Sequence, residues 1–225
     1  MGKLTLYHGS PEMIEVPEFG KGKLYNDYGR GFYCTKSLEL AKEWACTEGI
    51  DGYANQYEIE MEGLKILNLS SEEYTILHCL TLLLTYRKIR LSTPIMKRGV
   101  EWLKEHFSID IEEYDVIIGY RADDSYFSFA RAFVNNEISL EQLSRAMKLG
   151  KLGEQFVLKS EKAFQTIKFV SAKNADNTVY YSKRKIRDDK ARETYFSERD
   201  NADIDGIFMR DLIRGEVKFD DARLR

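Results

Sequence analysis

Within its first 45 residues the chain passes from a strand pattern to a loop, to a second strand pattern and then to a helical one. This succession limits the folds open to it more than any other feature. Leu4-Thr5-Leu6-Tyr7 is a short strand pattern that stops at His8-Gly9-Ser10-Pro11, where glycine and proline punctuate a turn. His8 is therefore expected at a strand end. Between Pro11 and Arg30 the chain carries Pro17, Gly20, Gly22 and Gly29 without a sustained period, which predicts a loop. Gly31-Phe32-Tyr33-Cys34-Thr35 resumes as a second short strand. Behind a cap at Thr35 or Ser37, Leu38, Ala41, Trp44 and Ala45 then recur at helical spacing.

Further along, Tyr57, Ile59 and Met61 alternate with glutamates, the period of a half-buried strand, and Gly63 separates them from a strand-like Leu64 to Leu69. Ser70 and Glu73 have capping-box spacing ahead of an apolar stripe of Ile76, Leu77, Leu80, Leu83 and Leu84. Pro94 predicts the first turn of another helix, with Met96, Val100, Leu103 and Phe107 on one side. Val116-Ile117-Ile118, ended by Gly119, predicts a buried strand. A helix is expected over Ser125 to Val134. Another begins at Ser139 with Gln142 and turns Leu140, Leu143 and Met147 inward before Gly150 stops it. Glu154 to Leu158 and Ile167 to Val170 are predicted strands joined by a turn over Ser160 to Phe164. Dense mixed charge from Lys183 to Asp200 predicts a solvated helix, and Ile204 to Ile213 a shorter one.

Composition narrows the function classes. The chain has 225 residues, of which 43% are hydrophobic and 32% charged, enough to bury a core without disulfides or structural metal. A net charge of -3 gives no global pull toward nucleic acid or an anionic membrane. Cys34, Cys46 and Cys79 are odd in number and lack CxxC spacing, which argues against a disulfide framework and a zinc site and for a reducing compartment. Met-Gly-Lys leads straight into the first strand pattern, without the features of a leader, and the run around Leu80 to Leu84 is too short to span a bilayer. A cytoplasmic protein is the expectation.

Leu6-Tyr7-His8-Gly9-Ser10, followed a loop's length later by Gly31-Phe32-Tyr33-Cys34-Thr35 and an alanine-rich helix, resembles the histidine-tyrosine type of the ADP-ribosyltransferase superfamily. The resemblance is closest to a group of bacterial proteins of unassigned function that are often encoded beside a small antitoxin-like partner. It continues through Tyr57 to Leu69, Tyr114 to Asp124 and Gln155 to Ala163. A physical reason stands beside it. Cleaving the bond between nicotinamide and ribose in NAD requires a site that holds the ring flat, fixes its carboxamide, orients the ribose and stabilises a developing positive charge. His8 is suited to bond a ribose hydroxyl, the Gly9 backbone to approach the carboxamide, Tyr33 to stack on the ring, and Ser10 to hold a further hydroxyl.

The third element departs from the superfamily's usual pattern. Such enzymes place a glutamate on a later strand, and the resemblance puts Gln155 at that position, which keeps a hydrogen bond and loses the charge. Glu154 is adjacent but faces the opposite side of a regular strand, and one bulge would exchange the two. A polar position on a sheet edge is the competing reading for both. Arg30, with Asp27 and Tyr28, precedes the tyrosine strand and is placed by the resemblance beside the cofactor, where Arg30 would pair a pyrophosphate oxygen; the alternative is an ordinary surface arginine. Asp123 and Asp124 fit a helix N-cap and a first-turn acid better than a metal pair. His78 and His106 fit structural roles, and Lys183 to Arg187 a solvated face.

Together these expectations describe a single α+β domain over residues 1–225: an ADP-ribosyltransferase-like split pair of small, mainly antiparallel sheets, a helical insertion at about 70–150 and a charged helical segment at about 182–225. The resemblance implies a glycosyltransferase-class toxin that moves ADP-ribose from NAD to a macromolecular acceptor, protein rather than nucleic acid, and releases nicotinamide. It also implies a small antitoxin partner. No metal and no membrane partner are expected. Two other readings stand: an RNA 2'-phosphotransferase of the same fold, which needs a basic cleft for RNA phosphates, and a non-catalytic module that binds NAD or ADP-ribose, with Gln155 marking lost activity.

Overall fold

In the computed structural model, which describes residues 3–122, 124–149, 153–200, 203 and 205–224, the fold is α+β. The chain divides into two compact units: Met1–Asn68, Ile111–Arg121 and Leu152–Asp188 make the first, and Leu69–Asp110, Ala122–Lys151 and Asp189–Arg225 the second.

The first unit contains a seven-stranded mixed sheet. Its strands in chain order are β1 (Lys3–Ser10), β2 (Phe32–Thr35), β3 (Gly52–Glu60), β4 (Ile66–Asn68), β5 (Val116–Tyr120), β6 (Glu154–Leu158) and β7 (Ile167–Ala175). They lie in the order β4-β5-β6-β2-β1-β3-β7. Only β4 and β5 are parallel; every other neighbouring pair is antiparallel. The expected pair of sheets is therefore one sheet with a weak seam. The β1 and β2 strands share a single paired position, Tyr7 opposite Thr35, whereas β1 pairs with β3 at every residue from Lys3 to Ser10.

That long pairing corrects the expected turn at His8-Gly9-Ser10. His8, Gly9 and Ser10 are extended because Asn55, Ala54 and Tyr53 of β3 lie opposite them, so His8 sits inside a strand and the break comes at Pro11. Pairing along the other edge of β3 lengthens β7, whose residues run opposite β3 as far as Gly52–Ala175, past the expected end at Val170. Ser160 caps a short helix, α6 (Glu161–Thr166), where a turn was expected; its hydroxyl accepts from the Ala163 amide.

Alternation along the strands sorts the two faces. Leu6, Cys34, Tyr57, Ile59, Val116, Phe156 and Leu158 pack into one buried cluster with Ala163 and Ile167. On the other face, α1 (Leu38–Ala45) crosses β1 and β3. Ser37 caps it, accepting from the Leu40 amide. Two glycines let this helix approach. A Cβ on Gly9 would lie 2.1 Å from the Ala41 carbonyl oxygen, and one on Gly52 would lie 2.4 Å from that of Ala45. From α7 (Asn177–Asp200), Arg187 reaches the buried Glu43 of α1 at 2.7 Å, and Lys183 pairs Glu39.

The second unit holds α2 (Ile76–Tyr86), α3 (Pro94–Phe107), α4 (Asp124–Val134), α5 (Leu140–Leu149) and α8 (Met209–Arg214). Because β5 belongs to the sheet, helices of the expected 70–150 insertion fall before and after it. The Ser70–Glu73 spacing makes no cap. Thr75 and His78 form the capping box instead, with the Thr75 amide donating to His78 Nδ1 at 3.0 Å, so the helix starts where the apolar run does. Ser139 and Gln142 do cap α5 reciprocally. His106 is held structurally by the Trp102 carbonyl. Asp123, Gly150 and Ile204, and the side chains of Asp124 and Met147, lie outside the described residues. Among the described residues no helix is long and apolar enough to cross a membrane.

Candidate functional site

The seam between β1 and β2 gathers most of the candidate residues. Past Tyr7 and Thr35 the two strands have no further paired positions, and the His8 ring bridges the gap: Nδ1 lies 2.7 Å from the Tyr33 carbonyl oxygen. An acceptor at that distance fixes the proton on Nδ1, which leaves Nε2 as a lone-pair acceptor with no hydrogen-bond partner among the described residues. Phe32 stacks on the ring at 4.2 Å between centroids. Burial lowers the His8 pKa, and the bond to Tyr33 opposes this only in part, so the imidazole is neutral at pH 7.

Gly9 and Ser10 follow on the same strand. The Gly9 position is crowded on its α1 side, where a Cβ would also meet Trp44 Cβ at 2.8 Å. The requirement for glycine thus comes from helix packing, and it sets the Trp44 Cβ against the strand. Arg121 lies over the Trp44 ring at 4.1 Å. Ser10 is buried, and its hydroxyl accepts from the Glu12 amide to close the turn after β1.

Tyr33 is committed to the loop before it. Its hydroxyl donates to the Gly29 carbonyl at 2.7 Å and accepts from the Tyr28 amide at 3.0 Å. This loop is the best-anchored stretch of the site. Tyr28 is fully buried and donates to the Tyr120 carbonyl at 2.8 Å, while Lys159 donates to the Tyr28 carbonyl. Arg30, by contrast, is exposed and makes no ion pair among the described residues.

Gln155 lies directly across from Thr35 on β6 and is 2% exposed. Its Nε2 donates to Asp27 Oδ2 at 2.9 Å and to the Tyr120 carbonyl at 3.1 Å. Both partners are acceptors, so the amide cannot be turned around without placing oxygen against oxygen. Glu154 points to the opposite face, where it pairs with Lys36 at 3.9 Å, and β6 runs without a bulge against both neighbours. The structure therefore brings His8, Gly9, Tyr33 and Gln155 to the seam and its flanking strands; by the register Gln155 shares the face of Thr35 and Tyr7, Glu154 lies on the other, and Arg30 is exposed on the loop.

Three residues at the seam carried little sequence signal. Asp27 is placed by the resemblance beside the cofactor with no role of its own, and the structure buries it against Gln155. Trp44 was counted as part of a helix face. Asn55 is fully buried opposite His8; its Nδ2 donates to the Glu12 carbonyl at 3.2 Å and lies 3.4 Å from that of His8, and its Oδ1 accepts from the Ile14 amide. It fastens the loop that follows β1. Among the described residues no group of three or more His, Cys, Asp or Glu is placed to hold a metal ion. Residues 4–169 match the family described as "Protein of unknown function (DUF3990)". No curated protein and no solved structure matches the chain.

Proposed function

The chain belongs to the DUF3990 family, and we propose that it is an NAD-dependent ADP-ribosyltransferase whose site lies at the β1–β2 seam. The observation that carries this reading is the His8 imidazole, locked by the Tyr33 carbonyl so that a neutral Nε2 remains as an acceptor at a break in the sheet. A ribose hydroxyl is a donor suited to it. The divergence of β1 from β2 leaves strand backbone near Gly9 for a carboxamide, and Trp44 beside Gly9 adds an aromatic face. Tyr33 contributes chiefly by holding the loop that carries Asp27.

In the proposed reaction the bond between the ribose C1' and the nicotinamide nitrogen breaks. The bonding pair leaves with nicotinamide, which becomes neutral. A nucleophilic oxygen or nitrogen of the acceptor bonds C1' and gives its proton to solvent or a neighbouring base. Positive charge on the ribose peaks between these events, and electronegative atoms fixed nearby lower that barrier. A macromolecular acceptor and a small antitoxin covering the site extend the same reading. All three cysteines are buried free thiols, with Cys34 and Cys46 pushed up by burial and Cys79 to about 12, which supports a reducing, cytoplasmic setting.

The test is incubation of the purified protein with labelled NAD and cell lysate. Label on a macromolecule, with nicotinamide released, is the expected result, and His8→Ala and Trp44→Ala should abolish it. Nicotinamide release without labelled product would indicate a glycohydrolase. Absence of both NAD binding and NAD consumption overturns the proposal.

A further inference from the structure

The glutamate expected to stabilise the ribosyl charge is absent, yet a carboxylate stands directly behind the residue in its place. Gln155 spends both amide hydrogens, one on Asp27 Oδ2 and one on the Tyr120 carbonyl. Its Oε1 has no hydrogen-bond partner among the described residues, although the side chain is 2% exposed. Among the described residues Glu60 Oε1, not this atom, is the fully buried side-chain oxygen left without a partner, so Gln155 Oε1 keeps solvent contact through which a ligand hydroxyl can reach it. The Asp27 carboxylate, itself buried, is held to the same amide.

We propose that Gln155 and Asp27 act as one unit in place of the glutamate: Gln155 Oε1 accepts a ribose hydroxyl, and Asp27, bonded behind the amide, supplies the negative charge. This rests on the NAD reading given above. A carboxylate accepting from the amide N–H draws positive charge onto that side and leaves the carbonyl oxygen more negative, because amide resonance couples the two atoms and hydrogen bonds in a chain reinforce one another. Low solvent access strengthens the field of a charge held at Asp27. Gln155 is the group that touches substrate; Asp27 is a positioning residue that acts through it. The surrounding anchors fit this division. Tyr28 shares the Tyr120 carbonyl with Gln155, and Lys159 fixes the Tyr28 backbone, so the carboxylate sits on a loop pinned from three sides.

The pair has a consequence opposite to that of a simple missing charge. Replacing Gln155 by glutamate alone would set two carboxylates against each other and against the Tyr120 carbonyl, where Nε2 now donates. Charge has to be moved between the two positions, not added.

The experiment measures steady-state nicotinamide release from NAD, ADP-ribose binding by calorimetry and thermal melting for the wild type, Asp27→Asn, Gln155→Glu and the double variant. Asp27→Asn should lower kcat by roughly tenfold to a hundredfold, the scale of losing one preorganised electrostatic contact, with KM changed less than about threefold. Gln155→Glu should also lose activity. The double variant restores one charge and one amide donor, and should exceed both single variants by at least about fivefold in kcat. Thermal melting close to wild type certifies the fold of each protein compared. A kcat for Asp27→Asn within about threefold of wild type, or a double variant no better than Asp27→Asn, overturns the pairing while leaving NAD cleavage intact. A wild type that releases no nicotinamide overturns both readings.

Discussion

His8 Nδ1 meets the carbonyl oxygen of Tyr33 at 2.7 Å across a seam where β1 and β2 have stopped pairing. The contact does in one side chain what a strand ladder would do with several backbone bonds. It ties the two halves of the sheet while leaving their backbones apart, and it sets the tautomer of the imidazole.

The pH dependence follows from that geometry. Burial lowers the His8 pKa below its ordinary 6.5, so the folded state prefers the neutral ring. The associated stability is complete above 6.5 and is lost as pH falls through the folded pKa. Protonation also turns Nε2 from acceptor to donor. NAD affinity should be flat from about pH 6.5 to 8 and fall on the acid side, while His8→Asn should bind weakly at all pH values. Calorimetric titration across this range checks it; affinity that still rises above about pH 7.5 would contradict the assignment.

Glu43 gives a profile of the opposite sign. Its pKa is raised because burial outweighs the attractions of Arg187, Lys183 and Arg121. Its folded form therefore binds a proton more tightly than the unfolded chain does. The stability it confers is greatest below the ordinary value of 4.5 and declines as pH rises from there through the folded pKa. Arg187→Ala removes the 2.7 Å partner and widens that window toward neutrality. The variant should be close to wild type near pH 4.5 and less stable by about 1–3 kcal/mol at pH 7.5, measured by urea unfolding at both values. An equal loss at both would mean that Arg187 acts through packing.

Gly9 separates packing from catalysis. Gly9→Ala forces a methyl group to within 2.1 Å of the Ala41 carbonyl oxygen unless α1 moves. The expected loss is about 2–3 kcal/mol. Thermal melting should report it even without NAD. Trp44→Phe, which keeps an aromatic at the same place, should melt near wild type and weaken NAD binding by roughly threefold to tenfold. If Gly9→Ala melts as wild type does, the close approach of α1 is wrong.

What the sequence disclosed here tracks where local signals coincide with tertiary demands. The cap at Ser37, the proline opening α3 and the Ser139–Gln142 box are local rules, and all three are realised in the structure. Gly52-Tyr53-Ala54-Asn55 has no alternation, so the first half of β3 was invisible, and with it the extension of β1 through His8. Ser70–Glu73 had the right spacing but no apolar partner at the right phase, and Thr75 with His78 took the cap. The α+β class was legible from the order of periods. The Asp27–Gln155 contact spans 128 positions in sequence, and neither residue type announces the other, so only the fold joins them.

Asn55 offers a final test, because its two polar atoms face groups of opposite kind. Oδ1 accepts from the Ile14 amide at 3.1 Å, while Nδ2 points at the carbonyls of Glu12, at 3.2 Å, and His8, at 3.4 Å. Asn55→Ala removes both and leaves buried backbone groups to find water, an expected cost of about 1–3 kcal/mol. Asn55→Asp preserves shape and the bond to Ile14 but turns a donor into a carboxylate oxygen against two carbonyls, in a position with no solvent exposure. The isosteric change should therefore be worse than the truncation at pH 7.5, and the order should narrow at about pH 4.5 as the new acid takes up a proton and regains a donor. Hydrogen exchange at the Ile14 amide distinguishes the two further: it should quicken in Asn55→Ala and stay comparatively protected in Asn55→Asp. If alanine proves the more damaging of the two at neutral pH, the donor role of Nδ2 is mistaken, and the loop after His8 is held by something other than this side chain.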